Sequence, residues 1–325
     1  DGAGRATIHN REFVIEIEKG WVPSGEGKRV NGAGSVFRVS DIRQKPPQGA
    51  LSIVARGQLE SVLSVIDHPP LQLMERAGRT TDFATADTRV KADISMPLKD
   101  GLEFEDVDFD VLATARLVES SEIVPGRRLE SEELQLVANP DELQIRGDGA
   151  LDGVPFDAEW RAGLGQSAVG TSSATGDVAL SEQTLSAFGV DLPPQTLRGE
   201  GTASYELAIG PDDAATQKLS SDLRGLGISI PALGWNKSPS ASGGLDFSME
   251  LGGAPDVRQL DFSAPGLAFS GDVDFGESGQ LAQLRLDRLR VGQWLDATAR
   301  IRPRPGGAPN ISLVGGQMDL RALPS

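Results

Sequence analysis

Apolar and polar residues alternate with a period of two along most of this chain. Phe13, Ile15 and Ile17 fall on one side of an extended segment, with Val14, Glu16 and Glu18 on the other. The alternation returns in Leu134-Gln-Leu-Val-Ala138, Leu143-Gln-Ile145, Phe156-Asp-Ala-Glu-Trp160, Leu245-Asp-Phe-Ser-Met249 and Asp272-Val-Asp-Phe275. Successive side chains of a strand point to opposite faces, so this period specifies strands with one apolar and one polar face. The chain is therefore expected to be all-β with few short helices. Its sheet must present a large apolar face, and what covers that face decides the function.

About twenty short strand candidates are separated by Gly, Pro, Asn and Asp turn signals. The punctuation includes Gly25-Glu-Gly27, Gly32-Ala-Gly34, Pro46-Pro47, Asn139-Pro-Asp141, Gly147-Asp-Gly149, Pro193-Pro194, Gly243-Gly244 and Gly306-Gly307. Asn139-Pro-Asp-Glu142 reads as a hairpin turn, because Pro presets φ and Asp tolerates turn geometry. Strands joined by such turns are antiparallel neighbours, which makes a meander. Two segments break the rhythm. Leu59, Val62, Leu63 and Ile66 lie on one helical face, before a stop at Asp67-His-Pro-Pro70. A second short helical turn is expected over 71–77, so the helical insert covers 58–78. The other break is 181–188, where Ser181 caps a helix and Leu185 with Phe188 face the sheet. Residues 163–176 are rich in Gly, Ser, Thr and Ala and read as a mobile loop. All 325 residues are otherwise expected to form one continuous segment. The chain opens Asp1-Gly-Ala-Gly without an initiator Met, so it is expected to be part of something longer, with any anchor outside it.

The net charge of −16 argues against nucleic acid, since phosphate binding needs clustered Lys and Arg. It also argues against electrostatic docking on an anionic membrane surface. The acids fall mostly at alternate strand positions, as on a solvated outer face. The absence of cysteine removes disulfides, thiolate metal sites and a Cys nucleophile together. No run approaches the ~20 apolar residues of a membrane span.

A search for chemistry returns little. The two histidines, His9 and His68, have no nucleophile signature beside them, so a Ser-His-Asp triad is unsupported. Gly165-Gln-Ser-Ala-Val-Gly170 misses the nucleophile-elbow spacing, and Gly147-Asp-Gly-Ala-Leu-Asp-Gly153 misses the dinucleotide fingerprint. The best metal candidate is Asp106, Asp108 and Asp110, yet the turn Gly and distal Glu of a calcium loop are missing. Trp160 and Tyr205 alternate with polar neighbours inside strands, which favours an inner face. Trp235 lies in Leu233-Gly-Trp-Asn-Lys-Ser-Pro239, read as a turn whose indole covers a sheet edge. No catalytic residue, metal or cofactor is expected.

Several segments resemble a known family. They are Gly49-Ala-Leu-Ser-Ile-Val-Ala-Arg-Gly-Gln-Leu59 with Asp67-His-Pro-Pro-Leu71, then Pro125-Gly-Arg-Arg-Leu129, 134–149 and Gly153-Val-Pro-Phe-Asp-Ala-Glu-Trp160. Asp222-Leu-Arg-Gly-Leu226, Ile230-Pro-Ala-Leu-Gly-Trp-Asn-Lys-Ser-Pro239 and Leu313-Val-Gly-Gly-Gln-Met-Asp-Leu-Arg321 continue the series. Together they resemble the AsmA-like, YhdP-type (TamB-related) proteins of Gram-negative envelopes. The resemblance implies an elongated, curled antiparallel β-sheet forming a U-shaped, taco-like hydrophobic groove. It further implies a periplasmic location, an inner-membrane anchor outside this chain, and movement of phospholipids between inner and outer membranes. It supplies no catalytic residues.

The physics of such a groove is simple. About twenty strands at ~4.8 Å spacing give a sheet on the order of 90 Å long. If it curls, the apolar face becomes a trough that removes acyl chains from water at about 0.8 kcal/mol per CH2. The residues expected to face lipid are Ile15, Leu136, Ile145, Phe156, Leu207, Phe247, Met249, Phe262, Phe269, Val273 and Phe275. The same residues could instead fill a closed sandwich core in a structural scaffold of the envelope. A polysaccharide-active β-solenoid is the remaining alternative, though neither an aromatic platform nor an acid pair marks one. An open apolar face would also favour a groove-to-groove homodimer of the isolated segment.

Overall fold

A computed structural model describes residues 2–24, 28–68, 72, 74, 80–124, 126–165, 170–188, 190, 192–210, 214–251, 256–276, 281–304 and 307–322. The chain divides into two compact units, Asp1–Gly153 with Asp157–Gly170, and Val154–Phe156 with Thr171–Ser325. The first contains β1 (Gly2–His9), β2 (Glu12–Pro23), β3 (Arg29–Asn31), β4 (Val36–Val39) and β5 (Gln48–Gln58). Helix α1 (Leu59–Ile66), β6 (Thr85–Pro97), a 3-10 turn (Phe104–Asp106), β7 (Asp108–Ser120), β8 (Leu129–Ala138) and β9 (Glu142–Leu151) follow. Strand β10 (Val154–Gly163) is shared between the units. The second unit continues with β11 (Ser172–Leu180), α2 (Glu182–Ala187), β12 (Leu197–Gly199), β13 (Gly201–Ile209), β14 (Ala215–Ser221) and β15 (Leu226–Ile230). It ends with β16 (Trp235–Lys237), β17 (Gly244–Leu251), β18 (Asp256–Ala264), β19 (Leu267–Phe275), β20 (Leu281–Val291), β21 (Leu295–Arg304) and β22 (Gly307–Met318).

Nineteen strands belong to one antiparallel sheet, and β12, β15 and β16 form a second, three-stranded one. Most neighbours in sequence are neighbours in the sheet. β5 through β9 pair in succession, as do β17 through β22. This is the expected meander. Its register holds because a slip of one residue would turn every apolar side chain to the solvent face. Where the sequence drops a residue out of phase, a bulge absorbs it. In Leu284-Arg-Leu-Asp-Arg-Leu-Arg-Val291 the apolar positions slip by one after Leu286. The register shifts there, so Leu286 faces Ala299 while Leu289 faces Ala297.

Among the described residues two buried clusters pack against these strands. In the first unit Phe104, Val107, Phe109 and Ala138 form a buried cluster under the connection between β6 and β7, joined by Leu102 and Leu164. In the second unit the three-stranded sheet supplies Leu197, Leu226 and Trp235 to a cluster with Ala203, Phe262, Leu286, Leu289 and Ala299 of the large sheet. Trp235 therefore does not cap a sheet edge from a turn, as its Gly-flanked context suggested. It opens β16, its indole N–H donates to the Pro265 carbonyl at 2.8 Å, and its ring meets Phe262 edge-on at 6.0 Å.

Helix α1 buries Val62 and Leu63 and leaves Leu59 and Ile66 half-buried, as the spacing predicts. The helical turn expected over 71–77 lies largely outside the described residues. Ser181 caps α2 by accepting from the Thr184 N–H, and Leu185 packs on the core. Phe188, expected to face the sheet, is exposed at the helix C-cap. The span 163–176 is less of a loop than its composition implies. Gly163 ends β10 and Ser172 begins β11, while 166–169 lie outside the described residues. Gly147-Asp-Gly149 is not a turn but the interior of β9. A Cβ at Gly147 would lie 2.7 Å from the Glu133 carbonyl oxygen, so the strands approach too closely there for a side chain.

Candidate functional site

The register lines up apolar residues in rows that cross the strands, and these rows are the candidate site. In the first unit one row runs Ala55, Val90, Ala113, Leu136, Ile145, each directly opposite the next. Two residues along, Ile53, Ala92, Val111, Ala138 and Leu143 form a second row. A third contains Ile15, Phe37, Leu51, Ile94 and Phe109. Three of the sequence-predicted residues thus share one face, with Leu136 and Ile145 directly paired.

The second unit repeats the arrangement. Leu245, Phe262, Phe269, Leu289 and Ala297 make one row, and Tyr205, Leu219, Phe247 and Leu260 contribute to the next. A further row holds Leu207, Gln217, Met249, Val257, Val273, Leu284, Ile301 and Ile311. Gln217 is its one polar member.

Burial varies along these rows. Ile15, Leu136, Ile145, Phe156, Leu207, Phe247, Met249 and Phe269 are half-buried. Phe262 and Val273 are buried, at 9% and 7% exposure. Phe262 stacks on Phe269 with ring centroids 4.8 Å apart while Trp235 covers its edge, so protein already occupies that ring. The side chain of Phe275 lies outside the described residues, although its backbone pairs with Leu281. Sequence reasoning missed Val90, Ala113, Leu219, Leu284 and Ile301. They carry the same alternation, and only the register shows that they continue the rows.

The opposite face is charged. Arg285 pairs with Asp274 at 3.0 Å and Asp272 at 3.3 Å, and Arg290 pairs with Asp296 at 3.2 Å. Hydrogen bonds from Arg288 and Arg290 hold the Asp296 carboxyl below its ordinary range, and Arg161 does the same for Glu159. These groups are solvent-exposed, so each pair contributes little stability. The three aspartates singled out as a cation site do not converge. Asp106 belongs to the 3-10 turn, where it accepts from Lys99 at 2.7 Å and from the Glu103 N–H at 3.0 Å. Asp108 and Asp110 lie on β7 opposite Ser95 and Asp93. Among the described residues no group of three His, Asp or Glu side chains could hold a metal ion. No helix of the described chain is long and apolar enough to cross a membrane. No protein-family model, curated protein or solved structure matches this chain.

Proposed function

We propose that the apolar rows hold phospholipid acyl chains, and that this chain is a segment of a periplasmic bridge passing lipids between inner and outer membranes. The observation that carries the reading is the half-burial of the inner rows on strand after strand. Leaving such a face to water costs about 25 cal/mol for each Å² of apolar area. An acyl chain laid along the rows recovers that cost. Successive strands offer nearly equal apolar contact, so a chain can move by one strand spacing without a large barrier. On this reading the sheet curls into a U-shaped groove, the chain is not an enzyme, and no cofactor is needed. The membranes are engaged through parts outside the chain. The test is native mass spectrometry with lipid extraction on protein purified without detergent. Several phospholipids per chain are expected, and a lipid-free monomer would overturn the proposal.

A second reading, a non-catalytic scaffold, draws on β22. That strand carries no charge and is exposed from Pro309 to Met318, a surface suited to strand addition by a partner. A Pro substitution at Leu313 that abolished partner capture while lipid was absent would favour it.

A further inference from the structure

The polar face of the first unit breaks a local rule. Arg56 on β5 lies directly opposite Arg89 on β6, and like charges in that position destabilise a sheet. The row continues through Thr114 and Gln135 to Arg146, so every member can donate a hydrogen bond. Lys91 lies two residues from Arg89 on the same face. In a chain with 47 acids against 31 Lys and Arg, such a cluster is unexpected. Nearby acids are engaged elsewhere: Asp87 by Gln58, Asp93 by Ser52 and Glu133 by Arg116. Asp110 lies one row beyond Lys91, and Glu159 is within electrostatic reach of Arg146. Among the described residues no ion pair joins Arg56, Arg89 or Lys91 to a carboxylate.

Beside the donor row runs a second row, apolar except for Lys91. Val54, Lys91, Leu112 and Val137 are successive cross-strand partners, and Leu112 is 59% exposed. Both rows line one depression of about 510 Å³, within the range of small-molecule sites. Arginines presented side by side suit the oxygens of a tetrahedral oxyanion, and the lane from Leu112 to Val137 suits an alkyl chain.

We propose that this depression binds a phosphate-headed amphiphile, with its phosphate on Arg56, Arg89 and Lys91 and its alkyl chain over Leu112 and Val137. The side chains of both rows alternate away from the apolar rows. Ala55, Val90, Ala113 and Leu136 of the first apolar row also line the depression, and the proposal does not rest on what the apolar face holds. The shared chemistry is the phosphate group, so inorganic phosphate and monomeric dodecyl phosphate are compared by calorimetric titration at constant ionic strength. Dodecyl phosphate is expected to bind one equivalent at this site more tightly than inorganic phosphate. The Arg56→Gln/Arg89→Gln variant should weaken it by about tenfold or more. Leu112→Ser should weaken dodecyl phosphate alone. An Arg224→Gln control, changing an exposed arginine in the second unit, should bind as the parent does. Because removing the opposed charges should not unfold the sheet, circular dichroism of the double variant should match the parent. Equal affinity for both probes would overturn the amphiphile assignment, as would unchanged dodecyl phosphate binding in the double variant.

Discussion

Within the second unit the same strands and the same face lead two different lives. At one end Phe262, Leu289 and Ala297 lie beneath the three-stranded sheet and are buried. Four or five residues further along the strands, Leu284 and Ile301 are half-buried, and Ile311 beside them on β22 is exposed. Nothing in the strands themselves separates the two ends, since both alternate with the same period. The difference comes from the connections. The links between β11 and β13, and between β14 and β17, are long enough to carry α2, β12, β15 and β16, and both leave from the covered end. The first unit follows the same logic. Its long connections, carrying α1 and the Leu102–Val107 segment, cover apolar residues, while the row from Ala55 to Ile145 between them stays half-buried. Long connections make the lids, and the strands supply the face.

Placing the same charge at a buried and at a half-buried position breaks this comparison most severely. Phe262→Asp would bury a carboxylate beneath Trp235 without a partner, and loss of the aromatic packing alone costs about 3–5 kcal/mol. Chemical denaturation should show the second unit lose cooperative folding. Phe247→Asp, one row away and half-buried, should instead keep its β-sheet circular dichroism and lose bound phospholipid. If Phe247→Asp unfolded the protein as Phe262→Asp does, the distinction between buried and half-buried positions would fail.

A smaller effect is expected at Lys237, which is 4% exposed and holds the lid together through backbone carbonyls. Its ammonium donates to the carbonyls of Leu223 at 2.6 Å, Leu226 at 2.9 Å and Ser238 at 3.2 Å. Lys237→Met keeps the length and strands those carbonyls, at a cost of about 1–3 kcal/mol. Burial also lowers the lysine pKa. Below the folded pKa the native state holds a charge it disfavours, and that penalty is relieved as pH rises through the folded value towards the ordinary ~10.4. The melting temperature of the parent relative to Lys237→Met should therefore rise across that interval. A flat difference would mean that the lysine is solvated and that the lid is looser than its contacts indicate.

Much of the sheet and both lid helices were readable from the sequence, and the three-stranded sheet was not. Alternation fixed the strands, and the spacing of Val62 and Leu63 fixed the buried side of α1. The three-stranded sheet escaped because β12 and β16 have only three residues each, too few for a period to register. Trp235 looked like a turn residue because Gly234 precedes it, yet Gly234 (φ +61°) ends a 3-10 turn and β16 starts at once. The candidate rows were half legible. Leu136 and Ile145 are paired by the hairpin at Asn139-Pro-Asp-Glu142, which local residues specify. Leu207 and Met249 join one row only through the non-local pairing of β14 with β17, which no local signal encodes.

The smallest effect tests whether short turns are as neutral to the candidate site as the comparison requires. Asp152 and Gly153 have φ of +50° and +80° and join β9 to β10, the geometry a two-residue hairpin demands. The Asp152 carboxylate accepts from the Arg128 N–H at 2.9 Å and from the Arg127 guanidinium at 2.9 Å, and both lower its pKa. A depressed carboxylate contributes stability that is fully present above the ordinary value near 3.9 and is lost as pH falls through the folded value. Asp152→Asn keeps the turn, because Asn also adopts positive φ, and removes the charge. Thermal melts at neutral pH should show the variant slightly less stable than the parent, with the gap closing as pH falls through the folded value of the aspartate. Bound phospholipid should be the same in both. Lipid loss from so remote and small a change would mean that the hairpin itself shapes the apolar rows, and the division of labour between connections and strands would have to be redrawn.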